Sequence, residues 1–150
     1  IVIIKKNATD KLKASNMTCL KNCFHSCSGL IAIPNGLFDN NIAVINFSAC
    51  FANCTSLTAI PNGLFDYNIL VNDFSFCFYN CSSLMSIPVG LFDNNTDVNT
   101  FQSCFGKGQN LTGLAPELWL REPEPNGSKC FYNATGLDNY DDIPDDWKIS

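Results

Sequence analysis

The sequence predicts an α/β repeat solenoid, a coil of short strands and short helices with capped ends, and three observations carry that prediction. Ile33-Pro34, Ile60-Pro61 and Ile87-Pro88 lie 27 residues apart, and Leu114 is expected to continue the series. The same period carries Leu30, Leu57, Leu84 and Leu111, then Leu37, Leu64, Leu91 and Leu118, then Phe38, Phe65, Phe92 and Trp119, and also Phe24, Phe51, Phe78 and Phe105. Two cysteine columns keep the register, Cys23, Cys50, Cys77 and Cys104 in one and Cys27, Cys54 and Cys81 in the other. A repeat of this length cannot bury its apolar face alone, so stacked neighbours must share one continuous core.

Within a repeat, Phe47 to Cys54 places apolar residues at 47, 50, 51 and 54, the spacing of one helical face, and a short helix is expected there. Leu57 to Ile60 reads as a strand that stops at Pro61, where the ladder donor is lost. Pro61-Asn62-Gly63 makes a turn, Leu64 and Phe65 return to the core, and Val71 to Phe74 forms a second short strand. Strand ladders would set equal positions of successive repeats about 4.8 Å apart.

The ends depart from the pattern. Residues 1–22 keep Met17 and Leu20 where Val44 and Phe47 stand, but the earlier half of the repeat is Lys-rich, which reads as an N-terminal cap before a 23–120 repeat array. Residues 121–150 read as a degenerate C-terminal capping repeat. Arg121 to Ser128 interrupts the period, Cys130, Phe131 and Leu137 resume the columns, and Trp147 can close the last apolar layer. The chain opens on Ile1 rather than Met, as expected of a processed product or a piece of a longer protein.

The pattern F-x-x-C-F-x-x-C-x-x-L-x-x-I-P-x-x-L-F-D, present from Phe47 to Asp66 and again from Phe74 to Asp93, resembles the BspA-type leucine-rich repeats of bacterial surface proteins, and similar repeats occur in tail-associated proteins of bacteriophages. The resemblance covers roughly residues 20–120 strongly. It implies a leucine-rich-repeat-like right-handed coil with a role in adhesion or partner binding at a cell surface, outside the cell or on a virion, and it carries no catalytic residues to transfer. Gly108 and Ala134 in the second cysteine column, and Pro116 displaced by one residue, are departures from the pattern.

Charge narrows the partners. A net charge of -5 with nine Lys and Arg leaves no basic stripe for phosphates, which argues against nucleic acid. Residues 1–30 carry five Lys against Asp10, while residues 111–150 carry eight carboxylates against Arg121, Lys129 and Lys148, so the ends differ as +4 to -5. No apolar run approaches the roughly 20 residues that cross a bilayer, and membrane insertion is not expected.

Nine cysteines would suit a disulfide framework in a secreted chain, but their periodicity among Phe and Leu columns favours reduced, buried packing residues. Zinc fits least, because a C-x3-C pair without His or a C-x2-C partner matches no usual site. Cys19, in a column otherwise held by Asn46, Asp73 and Thr100, is the thiol expected to be exposed. The Asp39, Asp66 and Asp93 column could hold Ca2+ between coils or cap a turn, and the turn role is the simpler. With His25 as the single histidine and no phosphate-loop, dinucleotide or zinc-protease motif, an enzyme is not expected, and neither a cofactor nor a metal is called for.

Columns that vary face the partner in a stacked repeat. Tyr67 stands where Asn40 and Asn94 do, Phe76 where Ala49 and Ser103 do, and Tyr79 where Ala52 and Gly106 do. Aromatics that break a column are either contact residues or fillers of local gaps. A second candidate surface is the row Ile31, Thr58, Met85 and Thr112 beside Ala32, Ala59, Ser86 and Gly113. The expected ligand residues are therefore Tyr67, Phe76, Tyr79, Thr58, Met85 and Thr112, offered to a protein or glycan partner such as a cell-surface receptor or a neighbouring virion subunit. The alternative is a structural spacer or assembly domain in a phage tail or fibre, favoured by the opposite charges of the two ends. A hydrolase relying on His25 is the remaining reading.

Overall fold

The computed structural model describes Leu12 and residues 16–149, so most of the expected 1–22 cap lies outside the described residues. The expected α/β solenoid does not form. Among the described residues, the named elements are 3-10 helices at Leu118–Leu120 and Tyr140–Asp142 and one α-helix at Asp145–Lys148. No sheet is present among the described residues, and strand pairing is reduced to single parallel bridges, Cys19 to Asn46, Asn46 to Asp73, Asp73 to Thr100, Thr100 to Asn126 and Ala32 to Ala59. Among the described residues no helix is long and apolar enough to cross a membrane.

Turns take the place of the expected helix at 47–54. Ala49 and Asn53 adopt positive φ, 53° and 61°, which an α-helix cannot contain. The pair recurs as Phe76 and Asn80, Ser103 and Lys107, and Lys129 and Asn133. As a result the N–H groups alternate. Those of Cys50, Ala52 and Cys54 bond three residues back to Phe47, Ala49 and Phe51, while those of Phe47, Ala49, Phe51 and Asn53 reach the carbonyls of Asp73, Ser75, Cys77 and Tyr79 at 2.8–2.9 Å. A buried backbone must satisfy every donor, and here half of them are satisfied by the next layer instead of by a helix.

The same division removes the expected strands. Of Leu57 to Ile60 only Ala59 bridges, and of Val71 to Phe74 only Asp73 does. Between these points single bonds run the opposite way, from Asn72 N–H to the Ile45 carbonyl and from Asn99 N–H to Asn72. Each layer is thus gripped from both sides by isolated bonds.

The side chains keep the 27-residue register all the same. Phe24, Phe51, Phe78 and Phe105, with Phe131 one residue short of the period, stack within 7° of parallel, with centroids 5.2–5.9 Å apart. Phe47, Phe74 and Phe101 form a second column, and Phe38, Phe65 and Phe92 a third. The last two interlock as tilted pairs, Phe47 on Phe65 at 5.0 Å and Phe65 on Phe74 at 4.7 Å. Trp147 is fully buried and stacks on Phe131, so it occupies the next place in the first column. The carbonyls of Asp146 and Trp147 then accept from Lys129 and Phe131, as a further layer would.

Leu114 is a correction. It is 66% exposed, and Ala115 is buried in its stead, one residue late in the column of Ile33, Ile60 and Ile87. Met17 is likewise exposed while Leu20 is buried.

Asn41, Asn68 and Asn95 form a polar column that links the layers from inside. Each is buried, and the Asn68 amide donates to the Phe38 and Asn41 carbonyls at 3.1 and 3.0 Å, as Asn95 does to Phe65 and Asn68. At the end of the column Arg121 takes over, its two Nη atoms donating to Asn95 and Phe92 at 2.7 and 2.8 Å. Asn68→Ala removes both bonds that tie this layer to the preceding one, leaving the Phe38 and Asn41 carbonyls with only the turn N–H groups of Asn41 and Val44, so a loss of about 1–3 kcal/mol is expected. Denaturant unfolding of that variant checks it, and an unchanged midpoint would show that the column is not structural.

Candidate binding surface

Backbone bonds align the predicted row of Thr58, Met85 and Thr112. Thr58 N–H donates to Ile31, Met85 N–H to Thr58 and Thr112 N–H to Met85. Thr58 is half-buried, whereas Met85 and Thr112 are exposed. Both threonine hydroxyls donate back to carbonyls of the row, Thr58 to Ile31 at 3.5 Å and Thr112 to Met85 at 3.2 Å. With the hydroxyl hydrogens so engaged, the row offers methyl groups, the Met85 thioether and hydroxyl oxygens as acceptors.

The structure brings two of the three column-breaking aromatics together. Phe76 and Tyr79 meet edge to face at 5.5 Å, and the Lys107 ammonium lies 5.4 Å from the Tyr79 ring centre. Tyr79 leans on the next layer at Gly106, where a Cβ would come within 3.0 Å of its ring. The glycine therefore makes room for the tyrosine. Phe76 is 37% exposed and holds φ +57°, a conformation rarely adopted by a bulky side chain. Tyr67 is exposed on a different turn and makes no ring contact with either, among the described residues. Ile69 and Leu70, two and three residues on in the chain, are also exposed, as is Ile42 in the column of Ile69.

A groove that sequence reasoning missed lies near the C-terminal layers. It encloses about 500 Å3 between Ile87, Pro88 and Val89 on one side and Leu114, Ala115 and Pro116 on the other. Asp93, Glu117 and Asp142 rim it. Asp93 also borders a neighbouring hollow of about 340 Å3 lined by Val98, Arg121 and Pro123. The displaced Pro116 is the one signal of it in the sequence: the register slips where the groove opens. Asn139 holds that edge in shape, its side-chain amide accepting from the Ala115 N–H at 2.8 Å and donating to the Ala115 carbonyl at 3.1 Å.

The thiols are free in the structure, with Cys19 and Cys23 exposed, Cys27 half-buried and the other six buried. Burial pushes Cys54 and Cys81 up to about 12, and raises Cys50, Cys77 and Cys104 well above the ordinary thiol value. The Sγ of Cys54 and of Cys81 donates to the carbonyls of Phe24 and Phe51 in the preceding layer, both at 3.2 Å. Cys23, although exposed, is also raised, by partial burial and then by Cys27. A nucleophilic cysteine needs the reverse shift.

His25 is exposed, with Nδ1 at 2.9 Å from the Ser26 hydroxyl and Nε2 at 3.4 Å from the Asn53 amide. Asp39, Asp66 and Asp93 fold back over the glycine three residues earlier, so that an added Cβ on Gly36, Gly63 or Gly90 would come within 2.7–2.9 Å of a carboxylate oxygen. These glycines also have φ of 68–74°. Among the described residues no cluster of three or more His, Cys, Asp or Glu could hold a metal ion. The chain matches no protein-family profile and no curated protein sequence.

Proposed function

We propose that the chain is a non-catalytic binding or adhesion module that presents the Phe76–Tyr79 surface to a protein or glycan partner, at a bacterial surface or on a phage virion. The observation that carries this reading is Phe76. Its column neighbours Ala49 and Ser103 share its positive φ, but a phenyl ring there adds strain and exposed apolar area without filling the core. Aromatics held rigidly at a surface are the side chains that dominate recognition, because they bring large contact area with little conformational freedom to lose. Lys107 beside Tyr79 adds a charge at the rim.

The spacer reading keeps one observation in its favour, the +4 and -5 charges of residues 1–30 and 111–150, which suit end-to-end assembly. A glycan and cell-surface binding screen separates the two. Binding to at least one ligand, reduced about tenfold or more by the joint change Phe76→Ala and Tyr79→Ala, is expected for a recognition hot spot. Binding that is unchanged by this pair removes the assigned surface, and no binding at all leaves the spacer.

A further inference from the structure

We propose that the groove between 87–90 and 114–117 docks a short, extended segment of a partner protein in which Lys or Arg flanks an apolar side chain. This is a second surface, separate from Phe76 and Tyr79.

Val89 stands in the column of Asn35 and Asn62, so a polar turn position has become apolar, and its side chain is wholly exposed. Across the groove Leu114 is exposed by the one-residue slip that sends Ala115 inward. Two branched apolar side chains thus face the same opening, and among the described residues nothing covers them. An apolar occupant removes that area from water.

The rim selects the charge. Asp93, Glu117 and Asp142 are all exposed, and none takes part in the ion pair found among the described residues, Lys148 with Asp145. Arg121 lies toward the Asp93 end and its guanidinium attracts that carboxylate, so the acidic charge left unbalanced at the rim is that of Glu117 and Asp142. The opening is therefore apolar at its centre and acidic at its edge, which favours a cationic side chain beside the buried one and repels an acidic one. A volume of about 500 Å3 has room for a few side chains and not for a folded domain. Asn139 and Arg121 fix the walls through backbone groups, so the groove is formed before its occupant arrives.

The test is selection of a random linear peptide library against the whole chain. Enriched peptides should carry Lys or Arg next to an apolar residue, and their binding should weaken with added salt. Affinity for a synthetic enriched peptide should fall about tenfold or more in the joint variant Val89→Ser and Leu114→Ser, and in Glu117→Gln with Asp142→Asn. It should be unaffected by Phe76→Ala with Tyr79→Ala, which separates this surface from the one proposed above. The proposal is overturned if no basic peptide is enriched or if enriched peptides bind the Val89→Ser, Leu114→Ser chain as well as the parent. It is also overturned if sedimentation shows the groove occupied by a second copy of the chain.

Discussion

Truncating Phe78 to Ala is expected to destabilise the chain by about 3–5 kcal/mol, the range for a buried Phe. Phe78 is 1% exposed, stacks on Phe51 and Phe105 at 5.4 and 5.5 Å, and tilts against Phe65. Its loss opens a hole that touches two layer interfaces at once, and in a stack stabilised by nearest neighbours neither can be made good elsewhere. Phe76→Ala, two residues away, should cost under about 1 kcal/mol, because its ring is partly solvated and the smaller residue keeps the same backbone. Denaturant midpoints of the two variants measure the difference. Equal losses would mean that the buried and exposed sides of this run are not those described.

The second large effect concerns the closed end. Trp147→Ala removes a fully buried indole that stacks on Phe131, meets Trp119 edge to face and donates from Nε1 to Glu124 at 3.0 Å. A loss of about 3–5 kcal/mol is expected, with Phe131 newly exposed. Gly127 depends on the same ring, since a Cβ added there would run into the indole. Gly127→Ala should therefore destabilise the parent by about 1–3 kcal/mol through overpacking, and much less once Trp147 is Ala. Strictly additive losses in that double-mutant cycle would contradict the packing of the final layer.

The two ends of legibility can be traced to particular residues. Columns such as Phe51, Phe78 and Phe105 were readable because burial repeats with the period, and a side chain that recurs every 27 residues meets its own kind. The backbone that joins them was not. FSACFANC has helical spacing of its apolar residues, yet Ser, Cys, Phe and Asn are weak helix formers, and Asn recurs at 53, 80 and 133, a residue that tolerates positive φ. Apolar spacing favours a helix here and residue propensity opposes it, and the turns prevail.

The strands failed for a related reason. LTAI ends at Pro61 and offers too few consecutive donors for a ladder, leaving the single bridge at Ala59. Of the surface residues, Phe76 and Tyr79 were legible as breaks in a column, and Thr58, Met85 and Thr112 as a row. That Tyr67 stands apart from the aromatic pair depends on the turn at 65–68, which no spacing rule describes. The groove left no mark in the sequence but the displaced Pro116, because it arises from one slipped residue, Ala115 for Leu114, rather than from any motif.

The most direct measurement is the binding of Phe76→Gly to whichever surface ligand the parent chain recognises, read at matched folded fraction. Glycine adopts positive φ without strain, so this variant relieves a conformation that costs a bulky residue about 1 kcal/mol while deleting the ring. If the ring is kept for contact, the variant unfolds at the same or a higher denaturant concentration than the parent and its binding falls about tenfold or more. Full binding by a Phe76→Gly chain that unfolds more easily would contradict the account, because it would make Phe76 a packing residue and leave the surface without its anchor.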